Sequence, residues 1–169
     1  MKSRLNVPNL ITFARLLMIV PFAYYLLKHE TQKSLAFFAA ITLSDKLDGV
    51  SARLMRQMTR FGSIFDSFTD WIFISTAIVL GVYVKYVTKL YAAAILLPIL
   101  LIGLLKLYNL KKYKRILKPA ISTANVGIGY ATILTLLIDF SYKNIFLALS
   151  LAFTYMTLIA FIFKTVTKS

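Results

Sequence analysis

The stretch LYAAAILLPILLIGLLKLYNL, residues 90–110, contains no acidic residue and only one lysine. Wound as an α-helix at about 1.5 Å per residue, it is about 30 Å long, the thickness of the hydrocarbon core of a bilayer. A helix that is apolar all round and of that length belongs in lipid. Pro98 lies inside it and is expected to kink it, because proline removes one backbone hydrogen bond and crowds the preceding turn. Outward from this run, further apolar runs cover Leu10 to Leu27, Leu35 to Leu43, Ile64 to Val84, Ala124 to Ile138 and Ile145 to Phe163. The pattern predicts an all-α polytopic membrane protein, with six transmembrane helices in one bundle that forms a single domain over residues 1–169. The run at 35–43 is too short to span by itself. It must continue through Asp45, Asp48 and Arg53, giving a helix with an apolar outer half and a charged inner half.

Composition agrees with this solvent. Hydrophobic residues make up 59% of the 169 residues, and the mean hydropathy is +0.76, beyond the range of ordinary soluble domains. At about 20 residues per span there is room for roughly six spans and little else. Pro8 and Asn9 are expected to open the first helix, the asparagine capping free amides. The basic N-terminal stretch lacks a small-residue cleavage site after its apolar run, so it reads as a retained helix rather than a signal peptide. With no cysteine, disulfides, thiolate–metal sites and cysteine nucleophiles are excluded. The single histidine, His29, falls in a short polar connection and reads as solvated surface.

A net charge of +14 is compatible with nucleic-acid binding, but no soluble face is left to build such a site, so no nucleic-acid partner is expected. Membrane topology explains the charge instead. With a cytoplasmic N-terminus, 15 of the 20 basic residues fall inside, and only Lys28, Lys33, Lys85, Lys89 and Lys143 fall outside. That asymmetry predicts both termini in the cytoplasm, at the cytoplasmic (inner) membrane if the source is prokaryotic. Trp71, Tyr83, Tyr86 and Tyr91 read as interfacial or packing aromatics.

Only six residues are acidic, and four of them cluster: Asp45 and Asp48 are spaced i,i+3, and Asp66 and Asp70 i,i+4. Each pair shares one helix face, so two facing helices would gather all four carboxylates. Four carboxylates in a partly buried site repel unless something positive neutralises them. An all-oxygen donor set favours Mg²⁺, Mn²⁺ or Ca²⁺ over zinc, and a pair of such ions can clamp a diphosphate. Gly49, Ala52 and Gly62 permit close approach of backbone or ligand, and Arg53 can donate a forked pair of hydrogen bonds to phosphate. The bland alternatives are a structural ion-pair network or a small cation-coupled transporter. A transporter would more naturally hold its acids near the midplane on broken helices, whereas these lie near one surface.

Asp45, Asp48, Gly49, Ala52, Arg53, Gly62, Asp66 and Asp70 together reproduce the pattern D-x2-D-G-x2-A-R-x8-G-x3-D-x3-D. In this the chain resembles the CDP-alcohol phosphotransferases, at every fixed position and spacing. The resemblance implies two divalent metal ions per site, Mg²⁺ or Mn²⁺, held by Asp45, Asp48, Asp66 and Asp70. It further implies that Asp70 is the catalytic base for the acceptor hydroxyl and that Gly49, Ala52 and Arg53 contact the CDP group. Ser44 resembles a small hydroxyl residue near the nucleotide. Also implied are a CDP-diacylglycerol-type lipid donor, a small alcohol acceptor, a homodimer, and an active site open to the cytoplasmic leaflet among membrane lipid.

The segment from Asn6 to Arg15, NVPNLITFAR, and the residues Thr59, Phe61 and Gly62 resemble bacterial phosphatidylglycerophosphate synthases and CDP-dependent cardiolipin synthases. The acceptor expected on that resemblance is glycerol 3-phosphate, with phosphatidylglycerol as the alternative. The chain departs from the subgroup in carrying Trp71 where lysine is usual. The basic run Lys111, Lys112, Lys114, Arg115 and Lys118 either anchors the protein to anionic headgroups or supplies one or two contacts to an acceptor phosphate.

Overall fold

The computed structural model describes residues 7–54, 60–113 and 119–167, with side chains described over 7–47, 61–112 and 119–167. Six helices appear in chain order: α1 (Val7–Leu27), α2 (Thr31–Leu54), α3 (Arg60–Tyr83), α4 (Lys89–Tyr113), α5 (Ile121–Leu137) and α6 (Lys143–Val166). All six apolar runs are therefore helical. The second continues through its charged residues, as its short apolar stretch demanded. Among the described residues four helices are long and apolar enough to cross a membrane: Val7–Leu27, Phe61–Tyr83, Lys89–Lys112 and Lys143–Val166. The two exceptions have separate causes. Polar and charged residues interrupt α2, and α5, at 17 residues, reaches about 25 Å against a hydrocarbon core of about 30 Å.

Helix α1 starts before Pro8, so Asn9 lies within the first turn and is buried instead of standing ahead of the helix as a cap. Pro98 is buried within α4, whose helical assignment continues through it.

The chain divides into two compact units, 1–80 and 81–169. In the first, α1 packs on α2. Pro8, Thr12, Arg15, Ile19, Phe22 and Leu26 are buried on α1, alternating steps of four and three that draw one stripe along the helix. Phe22 meets Phe73 of α3 edge to face at 5.1 Å between ring centroids, and Phe38 of α2 lies 6.1 Å from the same ring. Phe22, Ile41 and Phe73 have no exposure to solvent.

In the second unit, α6 packs against both α4 and α5. Its buried stripe has the same four-three spacing but is largely polar: Ser150, Thr154, Thr157 and Phe161. Thr157 Oγ1 donates to the Phe153 carbonyl at 2.7 Å, and Thr154 Oγ1 lies 2.7 Å from the Ser150 carbonyl and 3.0 Å from Asn125 Oδ1. Asn109 Nδ2 of α4 donates to Thr165 Oγ1 at 3.0 Å. Tyr91 is a packing residue: its hydroxyl bonds Ser150 Oγ and lies 3.2 Å from the Leu147 carbonyl. Tyr83, by contrast, is exposed.

Helices α1, α3 and α5 end in the same way. His29, Lys85 and Asp139 take positive φ values of 57°, 62° and 49°, and each sits at the left-handed position of a Schellman turn. In each turn a 6→1 bond closes the helix: Glu30 N to Tyr25 O, Tyr86 N to Gly81 O, and Phe140 N to Thr135 O. Gly81 lets Val87 pack closely. A Cβ there would meet Val87 Cγ2 at 3.2 Å.

Candidate active site

Three elements of the first unit build the site. Residue 45 of α2 and residues 66 and 70 of α3 place a carboxylate oxygen each within 4.8 Å of one another. The i,i+4 spacing of Asp66 and Asp70 along α3 puts them on one face, one turn apart. Asp45 and Asp66 are about one-third exposed and Asp70 is only 12% exposed at its side chain, so the cluster is open on one side and closed on the other.

The closed side is Arg15, contributed by α1 and fully buried. Its Nη1 pairs with Asp45 Oδ1 and lies 3.6 Å from Asp70 Oδ1. Its Nη2 donates to Asp66 Oδ1 at 2.5 Å. A guanidinium is suited to this position because it is planar, permanently charged, and offers several donors in fixed directions. From sequence, Arg15 stands out as an inward-side basic residue and as the end of the NVPNLITFAR segment, with no site role attached. The signal was present in the stripe of α1, where residue 15 falls in register with Pro8, Thr12, Ile19 and Phe22. A charged residue on the buried stripe of a membrane helix is a functional candidate by position alone.

Other expected site residues are placed as follows. Ser44 is half-buried in α2, and its hydroxyl donates to the Ala40 carbonyl at 2.7 Å, leaving its oxygen lone pairs as acceptors. Asp48, Gly49, Ala52 and Arg53 fall in the last turns of α2, and their side chains lie outside the described residues. Lys111 and Lys112 are exposed at the end of α4 in the second unit, with Lys112 Nζ 5.6 Å from the Tyr108 ring centroid. Lys114, Arg115 and Lys118 lie outside the described residues. His29 is exposed in its turn.

Three carboxylate oxygens at this separation, with no nitrogen or sulfur donor among them, fit a hard divalent cation. Among the described side chains one guanidinium faces three carboxylates, and carboxylates gathered in a partly buried site favour a bound cation. Chemically the arrangement can hold a metal ion against an anionic group such as a diphosphate.

Four helices long and apolar enough to cross a membrane, with a half-buried aspartate cluster among the described residues, define an all-helical membrane protein with a site suited to a charged group. The chain is a member of the CDP-alcohol phosphatidyltransferase family, whose model matches residues 5–156 and so runs through both units. It is accordingly an integral membrane protein, and its carboxylate cluster suits a family whose members generally depend on divalent metal. It is 38% identical over 69 residues to a CDP-diacylglycerol–glycerol-3-phosphate 3-phosphatidyltransferase of Aquifex aeolicus, covering 41% of this chain and 39% of the relative. A Pseudomonas fluorescens protein of the same name is 40% identical over 81 residues, covering 45% and 40%. A CDP-diacylglycerol–inositol 3-phosphatidyltransferase of Schizosaccharomyces pombe is 36% identical over 64 residues, covering 38% and 27%. The matched stretches thus span two-fifths or less of each relative's own length.

Proposed function

We propose that this protein transfers a phosphatidyl group from a CDP-diacylglycerol-type lipid to the hydroxyl of glycerol 3-phosphate, releasing CMP. The observation that supports this most directly is the convergence of Asp45, Asp66 and Asp70 within 4.8 Å, at the spacing of the family motif. The names of the Aquifex and Pseudomonas relatives supply the acceptor.

In this reading Asp45, Asp48, Asp66 and Asp70 hold two divalent ions, Mg²⁺ or Mn²⁺. When bound, those ions offset the charge of the diphosphate and polarise the phosphorus toward attack. Ser44, Gly49, Ala52 and Arg53 line the CDP side, where Arg53 donates to phosphate oxygens. Asp70 takes the proton of the acceptor hydroxyl. The acceptor oxygen then forms a bond to the β-phosphorus of the donor, the bond from that phosphorus to the bridging oxygen breaks, and CMP leaves with the electron pair. Asp70 suits the base role because it is the most enclosed of the three described carboxylates. The run Lys111, Lys112, Lys114, Arg115 and Lys118 serves as headgroup anchor, with contacts from one or two of these residues to an acceptor phosphate as the alternative.

The uneven distribution of basic residues supports cytoplasmic termini. The family match across both units supports one functional domain, and the family resemblance supports a homodimer.

The test is an acceptor panel. Purified protein is incubated with CDP-diacylglycerol, Mg²⁺ and, separately, glycerol 3-phosphate, inositol or phosphatidylglycerol, and the lipid products are identified by mass spectrometry. Phosphatidylglycerophosphate is the expected product. Phosphatidylinositol alone would move the chain toward the Schizosaccharomyces relative, and cardiolipin alone toward cardiolipin synthesis.

A further inference from the structure

Arg15 is the one described group of the first unit that brings positive charge into contact with all three clustered carboxylates. It does so from beneath. Its side chain has no exposure, whereas Asp45 and Asp66 keep about a third of theirs. Any divalent ion entering from the open side therefore meets carboxylates that already hold a guanidinium.

We propose that Arg15 is a built-in cation that competes with the divalent ion for Asp45, Asp66 and Asp70 and so sets the affinity of the metal site, an inference that rests on reading these aspartates as metal ligands. Metal binding then exchanges ion pairs for metal–oxygen bonds. It does not have to gather scattered carboxylates.

Two effects of Arg15 oppose one another. By neutralising mutual repulsion it keeps the carboxylates together, which favours metal binding; by occupying their oxygens it resists metal binding. The backbone decides which is larger. Asp66 and Asp70 are held one turn apart on α3 whether or not Arg15 is present, α2 is fixed on α1 by its own packing, including the Tyr25–Phe37 stack, and Phe73 of α3 meets Phe22 of α1 and Phe38 of α2. Preassembly therefore owes little to the guanidinium. Competition is direct, because Nη1 and Nη2 each touch a carboxylate oxygen of the cluster. A guanidinium cannot yield by losing its proton at any ordinary pH, so it yields only by moving away or by sharing. A charge-assisted pair of this kind corresponds to roughly a tenfold or greater factor in a binding constant.

The test measures metal binding and not turnover. Trp71, the only tryptophan, directly follows Asp70 in sequence, so Tb³⁺ bound at the cluster can be followed by luminescence sensitised through the indole. Competition with Mg²⁺ then gives the affinity for the divalent ion. At about pH 8, where ordinary carboxyls are ionised, Arg15→Gln should bind Mg²⁺ about tenfold more tightly than wild type, or better. Arg15→Lys, which keeps a cation at the position but loses the forked donors, should fall between wild type and Arg15→Gln. Thermal melts give a second readout. In chelator Arg15→Gln should melt below wild type, and Mg²⁺ should raise its Tm by more than it raises the wild type's. Both variants are purified and stored in Mg²⁺, so a weakened metal-free state does not prevent the measurement.

Equal or weaker Mg²⁺ binding by Arg15→Gln, in a wild type that does bind the ion, would overturn the competition while leaving the aspartates as metal ligands. Tightening in Arg15→Lys as great as in Arg15→Gln would show that the cation itself is not what competes. If wild-type protein binds neither Tb³⁺ nor Mg²⁺, the metal reading fails and takes this inference with it.

Discussion

The two units bury hydroxyls alike but charge differently: in the first, Thr12, Ser34 and Thr69 donate to carbonyls four residues back in the chain. In the second, Thr132, Thr157 and Thr165 return their hydroxyls to carbonyls four residues back on their own helices, and Asn109 adds a neutral bridge to Thr165. No described acidic side chain is buried there, and its Asp139–Lys143 pair lies at the surface. In the first, three described carboxylates face one buried guanidinium. The difference teaches where function resides. A hydroxyl satisfied by its own helix can sit in a membrane bundle at little cost and serves packing. Charge gathered in a half-buried site is expensive and persists where a ligand completes it.

The largest expected effect tests that contrast directly. Asp45→Asn and Asp70→Asn should each lower CMP release about a thousandfold, as for loss of a metal ligand or a general base. Thr154→Val, on the neutral stripe of α6, should leave turnover within about threefold. The two aspartates should also separate from each other. Asp45→Asn should weaken binding of CDP-lipid, whereas Asp70→Asn should leave donor affinity largely intact, since the other carboxylates still hold metal and diphosphate. Normal turnover of either aspartate variant would break the comparison. A thousandfold loss in Thr154→Val would do so from the other side.

A smaller effect concerns stability. Thr154 Oγ1 is within hydrogen-bond distance of both Asn125 and its own helix, so Thr154→Val should cost about 0.6 kcal/mol in reversible unfolding from mixed micelles, the usual worth of such a bond in a membrane bundle. A loss several times larger would mean that this polar seam, and not apolar packing, carries the second unit.

The smallest expected effect is a gain, shared by both units. His29 and Lys85 occupy left-handed backbone positions that glycine takes without steric penalty. His29→Gly and Lys85→Gly should each raise unfolding free energy by about 1 kcal/mol. Equal gains would show that the helix ends are interchangeable and that the contrast between the units lies in their buried charge.

The reading of residues along the chain reached a long way here, for physical reasons that are local. Lipid imposes a length and an apolarity on every span, so the runs at 10–27, 64–84, 90–110, 124–138 and 145–163 announced helices without any partner being known. The spacing of Asp45, Asp48, Asp66 and Asp70 is likewise written in the chain, because helical periodicity alone places each pair on one face. The three turns at His29, Lys85 and Asp139 were not legible. None carries the glycine that usually marks such a turn, so their left-handed φ is set by the hydrogen bonds that close the helix ends.

By itself, then, the sequence determined the solvent, the helices and the identity of the carboxylates, since each depends on residues near one another in the chain. Only the tertiary structure decided that Arg15, 30 residues before Asp45 and 51 before Asp66, is the cation against which those carboxylates are set. A charge placed on the buried stripe of α1 has no meaning until α2 and α3 are packed against it. Its partner is chosen by which helices lie beside that stripe, and helix packing is not written in any local spacing.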